Sequence, residues 1–135
     1  MNFLQLLLFK TYEVLTRWLE PLVAMHVDRR NGKGKEDPAR IEERFGIPSK
    51  TRPHGRVLWV HAASVGESLS VLPLIDKLLE SDASLNVLVT TGTTTSASLM
   101  AQRLPKRAIH QYAPFDVVTW VEAFLDFWQP NAVLW

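Results

Sequence analysis

The spacing of hydrophobic and polar residues changes along the chain and separates three segments. In residues 1–27, apolar side chains recur at steps of three, four and seven, which is typical of one face of an amphipathic helix. In residues 57–135, short apolar runs alternate with helical patterns, as in βαβ units. Between them, residues 28–56 contain repeated Gly and Pro, which predicts a linker. The chain is therefore predicted to be an α/β protein with a Rossmann-like parallel sheet, preceded by a helix and a linker.

Four strands and three helices are predicted in the last segment. The strands are Val57–Ala62, Leu85–Thr90, Ala108–Gln111 and Asn131–Trp135, and the helices are Gly66–Glu80, Thr94–Arg103 and Val117–Trp128. In such sheets, ligands bind outside the carboxyl ends of the strands, so the chemistry is expected in the loops there. A parallel sheet needs cover on both faces. No helical pattern follows the last apolar run, so the domain is expected to be truncated.

The first segment is predicted to be an amphipathic helix that associates with a membrane. Its longest apolar run, Leu6 to Phe9, is far below the roughly 18 residues of a membrane-spanning helix. Trp18 suits a headgroup boundary, and a basic segment follows the helix, as in an interfacial anchor. Pro21 is expected to end or kink the helix. The alternative is a helix that packs against its own protein.

The net charge of +1 is unevenly distributed along the chain. Residues 28–56 carry +4, whereas residues 57–135 carry −3. A basic segment beside an apolar one favours an anionic partner such as membrane lipid, and no nucleic-acid-binding motif accompanies it. The candidate phosphate-binding patch consists of Arg29, Arg30, Lys33 and Lys35, and a solvated flexible loop is the alternative.

One short helix is predicted within the linker, over Pro38–Phe45. Asp37 is expected to cap its first turn, and Gly46 follows its end. Proline fits the first helical position because no N–H donor is needed there.

The composition excludes several kinds of site. There is no cysteine, so disulfide bonds, thiol nucleophiles and cysteine-ligated zinc are excluded. The four histidines lack metal-ligand spacing, so no metal site is expected. One of them, His61, is instead expected to orient the loop that follows its strand.

The loop after the first strand carries the candidate base, Glu67. Ser64 and Glu67 have the S-x-x-E spacing of a capping box, in which the serine caps the helix and the glutamate reaches back. A carboxylate at this edge of the sheet could also take a proton from a substrate hydroxyl. The N–H groups around Val65 and Gly66 would face an anionic group there. Cap and base both remain open, and the two roles are expected to compete.

Two further loops follow the second and third strands. Gly92 is expected to permit a turn that brings the backbone close to a ligand, and Thr93 offers a hydroxyl there. A Thr-rich helix cap is the alternative. In the third loop, Asp116 is expected to be the N-cap of the last helix.

These loops resemble the motifs of one family, the 3-deoxy-D-manno-octulosonic acid (Kdo) transferases. Residues 59–67, Trp-Val-His-Ala-Ala-Ser-Val-Gly-Glu, resemble the family signature W-x-H-x-x-S-V-G-E. The other similar segments are the Thr-rich residues 90–95, the Y-x-P-x-D residues 112–116, and the basic-linker residues 34–38 and 43–46. Ser96 departs from the pattern, because many members have Gly there.

The resemblance implies a membrane-anchored glycosyltransferase of two-domain GT-B architecture, with this chain as its N-terminal, acceptor-side part. Members transfer Kdo from CMP-Kdo to the lipid A precursor at the cytoplasmic face of the inner membrane, without a metal ion or other cofactor. The Glu of S-V-G-E is the family's general base, which implies that role for Glu67.

The expected substrate-binding residues lie in the loops and the linker. They are Ser64, Val65, Gly66, Gly92, Thr93, Lys35 and Arg44. The family's donor domain, which binds CMP-Kdo, would follow residue 135. The alternative function is a non-catalytic remnant that only binds lipid at the membrane.

Overall fold

A four-stranded parallel sheet with helices on both faces forms the centre of the computed structural model, which describes residues 3–135. The strands are β1 (Arg56–Ala62), β2 (Leu85–Thr91), β3 (Ala108–Tyr112) and β4 (Ala132–Leu134). The helices are α1 (Phe3–Gly32), the 3-10 helix Pro38–Phe45, α2 (Val65–Ser81), α3 (Thr94–Arg103) and α4 (Val118–Trp128). The predicted α/β class and parallel sheet are confirmed. Each strand and helix predicted after residue 57 is present, with ends that differ by no more than one residue.

The order of the strands is β3-β2-β1-β4. β2 and β3 are added on one side of β1, and β4 is added on its other side. Val60 of β1 is the partner of Val89 on one side and of Leu134 on the other. In open α/β sheets, the crevice between two such strands is where ligands bind. The fold therefore places a candidate site at the carboxyl ends of β1 and β4.

The two faces of the sheet have separate hydrophobic cores. On one face, Val60 and Val89 pack with Ile75 of α2 and Met100 of α3. The core of the other face consists of Val57, Trp59, Leu88, Phe124 and Trp128. The rings of Trp59 and Phe124 lie 4.8 Å apart, which fixes α4 against β1. The residues that follow Thr90 therefore lie at the carboxyl edge of the sheet, between the two cores.

Helix α1 is longer than the sequence predicted. It continues to Gly32, so its expected end near residue 27 and the helix-ending role of Pro21 were wrong. An internal proline removes one hydrogen bond and crowds the preceding turn, yet the helix continues for 11 residues after Pro21. Residues 1 and 2 of the predicted helix lie outside the described residues. No helix within residues 3–135 is long and apolar enough to cross a membrane.

The side of α1 that contacts the rest of the protein combines the buried Val27 with several polar groups. Glu20 accepts hydrogen bonds from the Thr119 hydroxyl at 2.7 Å and from the Trp120 indole at 3.2 Å. The Tyr12 hydroxyl donates to the carboxylate of Asp116. Many of its large apolar side chains are exposed instead, and Trp18 is 81% exposed. The helix therefore contacts its own protein through these polar groups and the fully buried Val27, and many of its other apolar side chains face outward.

The short helix over Pro38–Phe45 is confirmed, with 3-10 geometry. Asp37 accepts a hydrogen bond from the Ala39 N–H at 3.0 Å, and Gly46 ends the helix with φ of 78°. A Cβ on Gly46 would meet the Trp120 carbonyl oxygen at 2.0 Å, so this position requires glycine. Because Glu43 is 1% exposed, this part of the linker is packed and is not a solvated loop.

Candidate functional site

A cavity of about 570 Å³ lies at the carboxyl ends of the strands, beside the β1–β4 switch point. Its walls are mostly aromatic and aliphatic, with two arginines on one side. The lining residues include Arg30, Arg44, Trp59, His61, Gly92, Phe115 and Trp135. Such a cavity suits a ligand with an apolar surface and a few polar groups.

The capping box at the start of α2 is present, with one change from the expected pattern. Ser64 Oγ accepts a hydrogen bond from the Glu67 N–H at 3.2 Å, as predicted. Glu67 Oε2 accepts from the Ala63 N–H at 2.7 Å, one residue before the expected donor. Val65 and Gly66 are exposed in the first turn, where N–H groups have no intrahelical acceptor.

The other carboxylate oxygen of Glu67, Oε1, has no hydrogen-bond partner among residues 3–135. The side chain is exposed at the mouth of the sheet's carboxyl edge. A base needs a free lone pair, and Glu67 keeps one while its second oxygen caps the helix. The expected competition between the two roles is therefore absent in this geometry.

The loop after β2 is a helix cap that also contacts the linker. Thr93 Oγ1 accepts from the Ser96 N–H at 3.1 Å and donates to Ser96 Oγ at 2.8 Å. The Gly92 carbonyl accepts from Arg44 at 2.6 Å. A Cβ on Gly92 would lie 3.5 Å from the Ala63 carbonyl oxygen, an ordinary contact, and its φ is not positive. The backbone at Gly92 therefore has no conformation that requires glycine, and its close approach to a ligand stays a prediction.

Arg44 lies at the cavity wall, but much of its guanidinium is used by the protein. It is 4% exposed, and its Nε donates to Glu36 Oε2 at 2.8 Å. Its two terminal nitrogens donate to the carbonyl oxygens of Ala113 at 3.1 Å and of Gly92 at 2.6 Å. Arg44 thus joins the linker to the loops after β2 and β3.

The predicted basic patch lies apart from Glu67, at the C-terminal end of α1. A shallow depression of about 320 Å³ is lined by His26, Arg29, Arg30, Lys33 and Lys35. Arg30 differs from the others because it donates to Glu36 at 2.6 Å. The side chains of Arg29, Lys33 and Lys35 make no hydrogen bond or ion pair within the described chain. Lys35 therefore lines this depression and not the larger cavity, while Arg30 lines both.

Asp116 does not cap α4, so that prediction was wrong. The N-cap position is Val117, which offers no side-chain acceptor. The Asp116 carboxylate instead accepts from the Tyr12 hydroxyl. Burial, together with this hydrogen bond and the negative charge of Asp116, raises the pKa of Tyr12 to about 12. The phenol therefore remains protonated and continues to donate at neutral pH.

His61 has a role that the sequence suggested only in outline. Its Nδ1 lies 2.9 Å from Thr90 Oγ1, and the same oxygen accepts a hydrogen bond from the Trp59 indole at 2.9 Å. Burial lowers the pKa of His61, and the charge of Glu67 acts in the opposite direction. Thr90 was not among the predicted site residues. Its position in the strand register could have identified it, because Thr90 of β2 is the direct neighbour of His61 of β1.

A second buried network supports the loop after β3. Glu43 accepts from Arg40 at 2.8 Å and from the Tyr112 N–H at 2.7 Å. Arg40 also donates to the carbonyl oxygen of His110 at 3.0 Å. Burial and the neighbouring cations lower the pKa of His110 to about 3. This network fixes the end of β3 next to the cavity.

Comparison with known proteins identifies the family. Residues 39–135 match the family described as 3-Deoxy-D-manno-octulosonic-acid transferase (kdotransferase). The chain belongs to the Kdo transferase family. The family match begins in the short linker helix and includes Arg44, His61 and Glu67, whereas α1 and Lys35 precede it.

Several Kdo transferases are similar along most of the chain. It is 36% identical to a probable mitochondrial Kdo transferase of Arabidopsis thaliana over 93% of its length, and 36% identical to the Rickettsia bellii Kdo transferase over 92%. The Haemophilus influenzae Kdo transferase is 28% identical over 89%. These alignments cover 28%, 30% and 28% of the relatives, so the chain spans less than a third of their length. No solved structure matches the chain.

The described part of this Kdo transferase chain has no cluster of His, Asp and Glu that could hold a metal ion. The structure brings Gly92, Arg44 and His61 to one cavity and leaves Lys35 elsewhere. Ser64, Glu67 and Thr93 lie at the starts of α2 and α3, at the same edge of the sheet but outside the cavity lining. Their roles toward a substrate stay predictions.

Proposed function

We propose that this chain is the acceptor-side part of a GT-B Kdo transferase, which transfers Kdo from CMP-Kdo to the lipid A precursor. The observation that carries the proposal is the position of Glu67 in a family member. One of its oxygens is fixed by the Ala63 N–H at 2.7 Å, while the other is free at the carboxyl edge of the sheet. That arrangement suits a general base for an acceptor hydroxyl.

In the proposed reaction, the acceptor's hydroxyl oxygen bonds to the anomeric carbon of Kdo while the bond from that carbon to CMP breaks. Glu67 Oε1 takes the proton from the hydroxyl, and CMP leaves with the electrons of the broken bond. The backbone N–H groups of Val65 and Gly66 offer donors to an anionic group nearby. Gly92 and Thr93 shape the neighbouring loop. The donor sugar is held by a second domain, and no step needs a metal ion.

The proposed enzyme works at the cytoplasmic face of the inner membrane, where α1 lies along the lipid surface. Support comes from its outward apolar side chains, such as Leu15 at 52% and Trp18 at 81% exposed. Lys33 and Lys35 follow the helix without partners among the described residues, as a basic patch facing anionic lipid would require. The oligomeric state forms no part of the proposal.

The test is a chimera in which this chain replaces the aligned N-terminal part of the Haemophilus influenzae Kdo transferase. We expect transfer of Kdo from CMP-Kdo to the lipid A precursor, in the presence and absence of EDTA. Binding of CMP-Kdo by the relative's own domain checks that the chimera folds. A folded chimera that binds the lipid A precursor but transfers nothing would favour the alternative, a lipid-binding module without catalysis.

A further inference from the structure

The starting point is the hydroxyl of Thr90, a fully buried side chain between two nitrogen atoms. Trp59 Nε1 and His61 Nδ1 each lie 2.9 Å from its oxygen. An indole N–H can only donate, so the Thr90 oxygen accepts from Trp59. The hydroxyl proton also needs an acceptor, because buried donors are almost always paired. Among the described residues, His61 Nδ1 is the acceptor within reach.

This bond determines which nitrogen of His61 carries the proton. Because Nδ1 accepts from Thr90, a neutral imidazole must carry its proton on Nε2. The ring of Trp135 stacks on the imidazole at 4.3 Å and 23°, which fixes its plane. Burial lowers the pKa of His61, so the neutral form dominates at pH 7. No residue within 3–135 accepts from Nε2, and the ring lines the cavity.

We propose that His61 contacts the ligand of this cavity, by donating a hydrogen bond from Nε2 to an oxygen of a phosphorylated sugar. The proposal rests on the proposed function for the identity of the ligand. Arg30 and Arg44 line the same cavity and supply positive charge for a phosphate, although part of each guanidinium is bound to Glu36. The carboxylate of Asp116 also lines the cavity and accepts a hydrogen bond from the Tyr12 hydroxyl. The rings of Phe115 and Trp135 offer apolar surface to a sugar face.

The tautomer can be measured on the 135-residue chain without any ligand. Nitrogen-15 NMR of the histidine rings should show His61 protonated at Nε2 and unprotonated at Nδ1. Thr90→Val keeps the shape of the side chain but removes the hydroxyl, so a mixture of tautomers is expected. Thr91→Val is the matched control, because Thr91 lies 2.8 Å from the ring of His110 and not of His61. A wild-type His61 protonated at Nδ1 would overturn the proposal.

A pair of substitutions then tests the contact with the ligand. In His61→Gln the side-chain amide reaches the position of Nε2, whereas in His61→Asn it reaches only that of Nδ1. With the lipid A precursor in detergent micelles as the probe, we expect Gln to bind nearly as well as His. Asn should bind about 3- to 10-fold more weakly, the loss of one hydrogen bond. Thermal melts of both variants check that the fold is retained.

The outcomes separate the two proposals. If the folded wild-type chain does not bind the precursor, the proposed function fails and the ligand contact fails with it. If the wild type binds and His61→Asn binds equally well, the contact at Nε2 is overturned while the proposed function stands. Weaker binding by Asn than by Gln, with similar melting temperatures, supports the contact.

Discussion

At the scale of single residues, the two carboxylate oxygens of Glu67 lie in different surroundings. Oε2 accepts from the Ala63 N–H, and Oε1 faces solvent without a partner among the described residues. The bound oxygen limits how the carboxylate can rotate, so the free oxygen is held toward the carboxyl edge of the sheet. A base that is fixed in this way needs little reordering before it takes a proton.

The first prediction separates the two roles of Glu67. In the chimera, Glu67→Gln should lower the transfer rate by about 10²–10⁴-fold, because an amide cannot take up the proton. The amide oxygen can still accept from the Ala63 N–H, so the melting temperature should stay close to that of the wild type. Glu67→Ala should lose both roles and unfold more easily, by about 1 kcal/mol. Near-normal transfer by Glu67→Gln would leave Glu67 as a cap alone.

The second prediction concerns His110, which is 5% exposed and has its pKa lowered to about 3. An unfolded histidine titrates near pH 6.5, so between these values the unfolded chain binds more protons than the folded one. The free energy of unfolding should therefore decrease as the pH falls from 6.5, by about 1 kcal/mol per pH unit. Denaturant titrations at pH 7.0, 6.0 and 5.0 measure this.

His110→Gln should reduce that pH dependence, and His61, whose pKa is also lowered, accounts for part of what remains. His26→Gln, the same substitution at an exposed histidine, is the matched control. An equal slope in all three proteins would contradict the assignment to His110.

At the scale of elements, Arg44 holds together three segments that are distant in sequence. It lies in the 3-10 helix, and its guanidinium reaches Glu36, Gly92 and Ala113. Its own carbonyl oxygen accepts from the Phe115 N–H at 3.0 Å. The two loops at the cavity therefore depend on a side chain from outside the sheet.

The third prediction is that Arg44→Met destabilises the protein by about 2–4 kcal/mol, because two part-buried carbonyl groups lose their donor and the buried Glu36 loses one of its two arginine partners. Arg44→Lys should recover little of this, since an ammonium group cannot reach acceptors in the directions of a guanidinium. Urea unfolding measures the change. Arg103→Met, at an exposed arginine of α3, is the matched control and should have an effect below about 0.5 kcal/mol. Equal losses in both variants would contradict the proposed linking role.

The elements were more predictable than the contacts between them. The strands and helices after residue 57 follow from local periodicity, and the cap by Ser64 follows from a spacing of three residues. The roles of Asp116 and Arg44 depend on partners about 50 to 100 residues away. A sequence pattern carries no signal for such pairs. Pro21 does not end the helix, because α1 continues past it to Gly32.

At the scale of the whole molecule, α1 places an apolar surface and a basic patch side by side. Leu15 and Trp18 are turned away from the sheet, and Lys33 and Lys35 lie beyond the end of the helix. The inward side is held to α4 by hydrogen bonds, among them those to Glu20. The outward side is thus available to a lipid surface without separating the helix from the sheet.

The fourth prediction tests this surface with lipid vesicles. Leu15→Ser should lower the partition coefficient roughly tenfold on both anionic and neutral vesicles, because apolar burial drives both. Lys33→Gln with Lys35→Gln should weaken binding to anionic vesicles alone, and the effect should diminish in high salt. Vesicle sedimentation measures both.

The controls are Leu74→Ser, at a leucine of α2 with 45% exposure, and Lys106→Gln, at an exposed lysine far from α1. Both should bind like the wild type. Equal losses for Leu15→Ser and Leu74→Ser would mean that α1 is not the contacting element.

The position of β4 also has a consequence for the order of folding. β1, β2 and β3 are joined by neighbouring stretches of chain, whereas the Val57 N–H bonds to an Asn131 side chain 74 residues later. Closing so long a loop costs more entropy than closing the β1–β2 and β2–β3 crossovers, so β4 should join the sheet last. The cavity beside it would then be the last part of the molecule to acquire its shape. Pulsed hydrogen exchange during refolding should show protection of the Val89 N–H before that of Val133, the β4 residue paired with Trp59, and simultaneous protection would argue for a single concerted step.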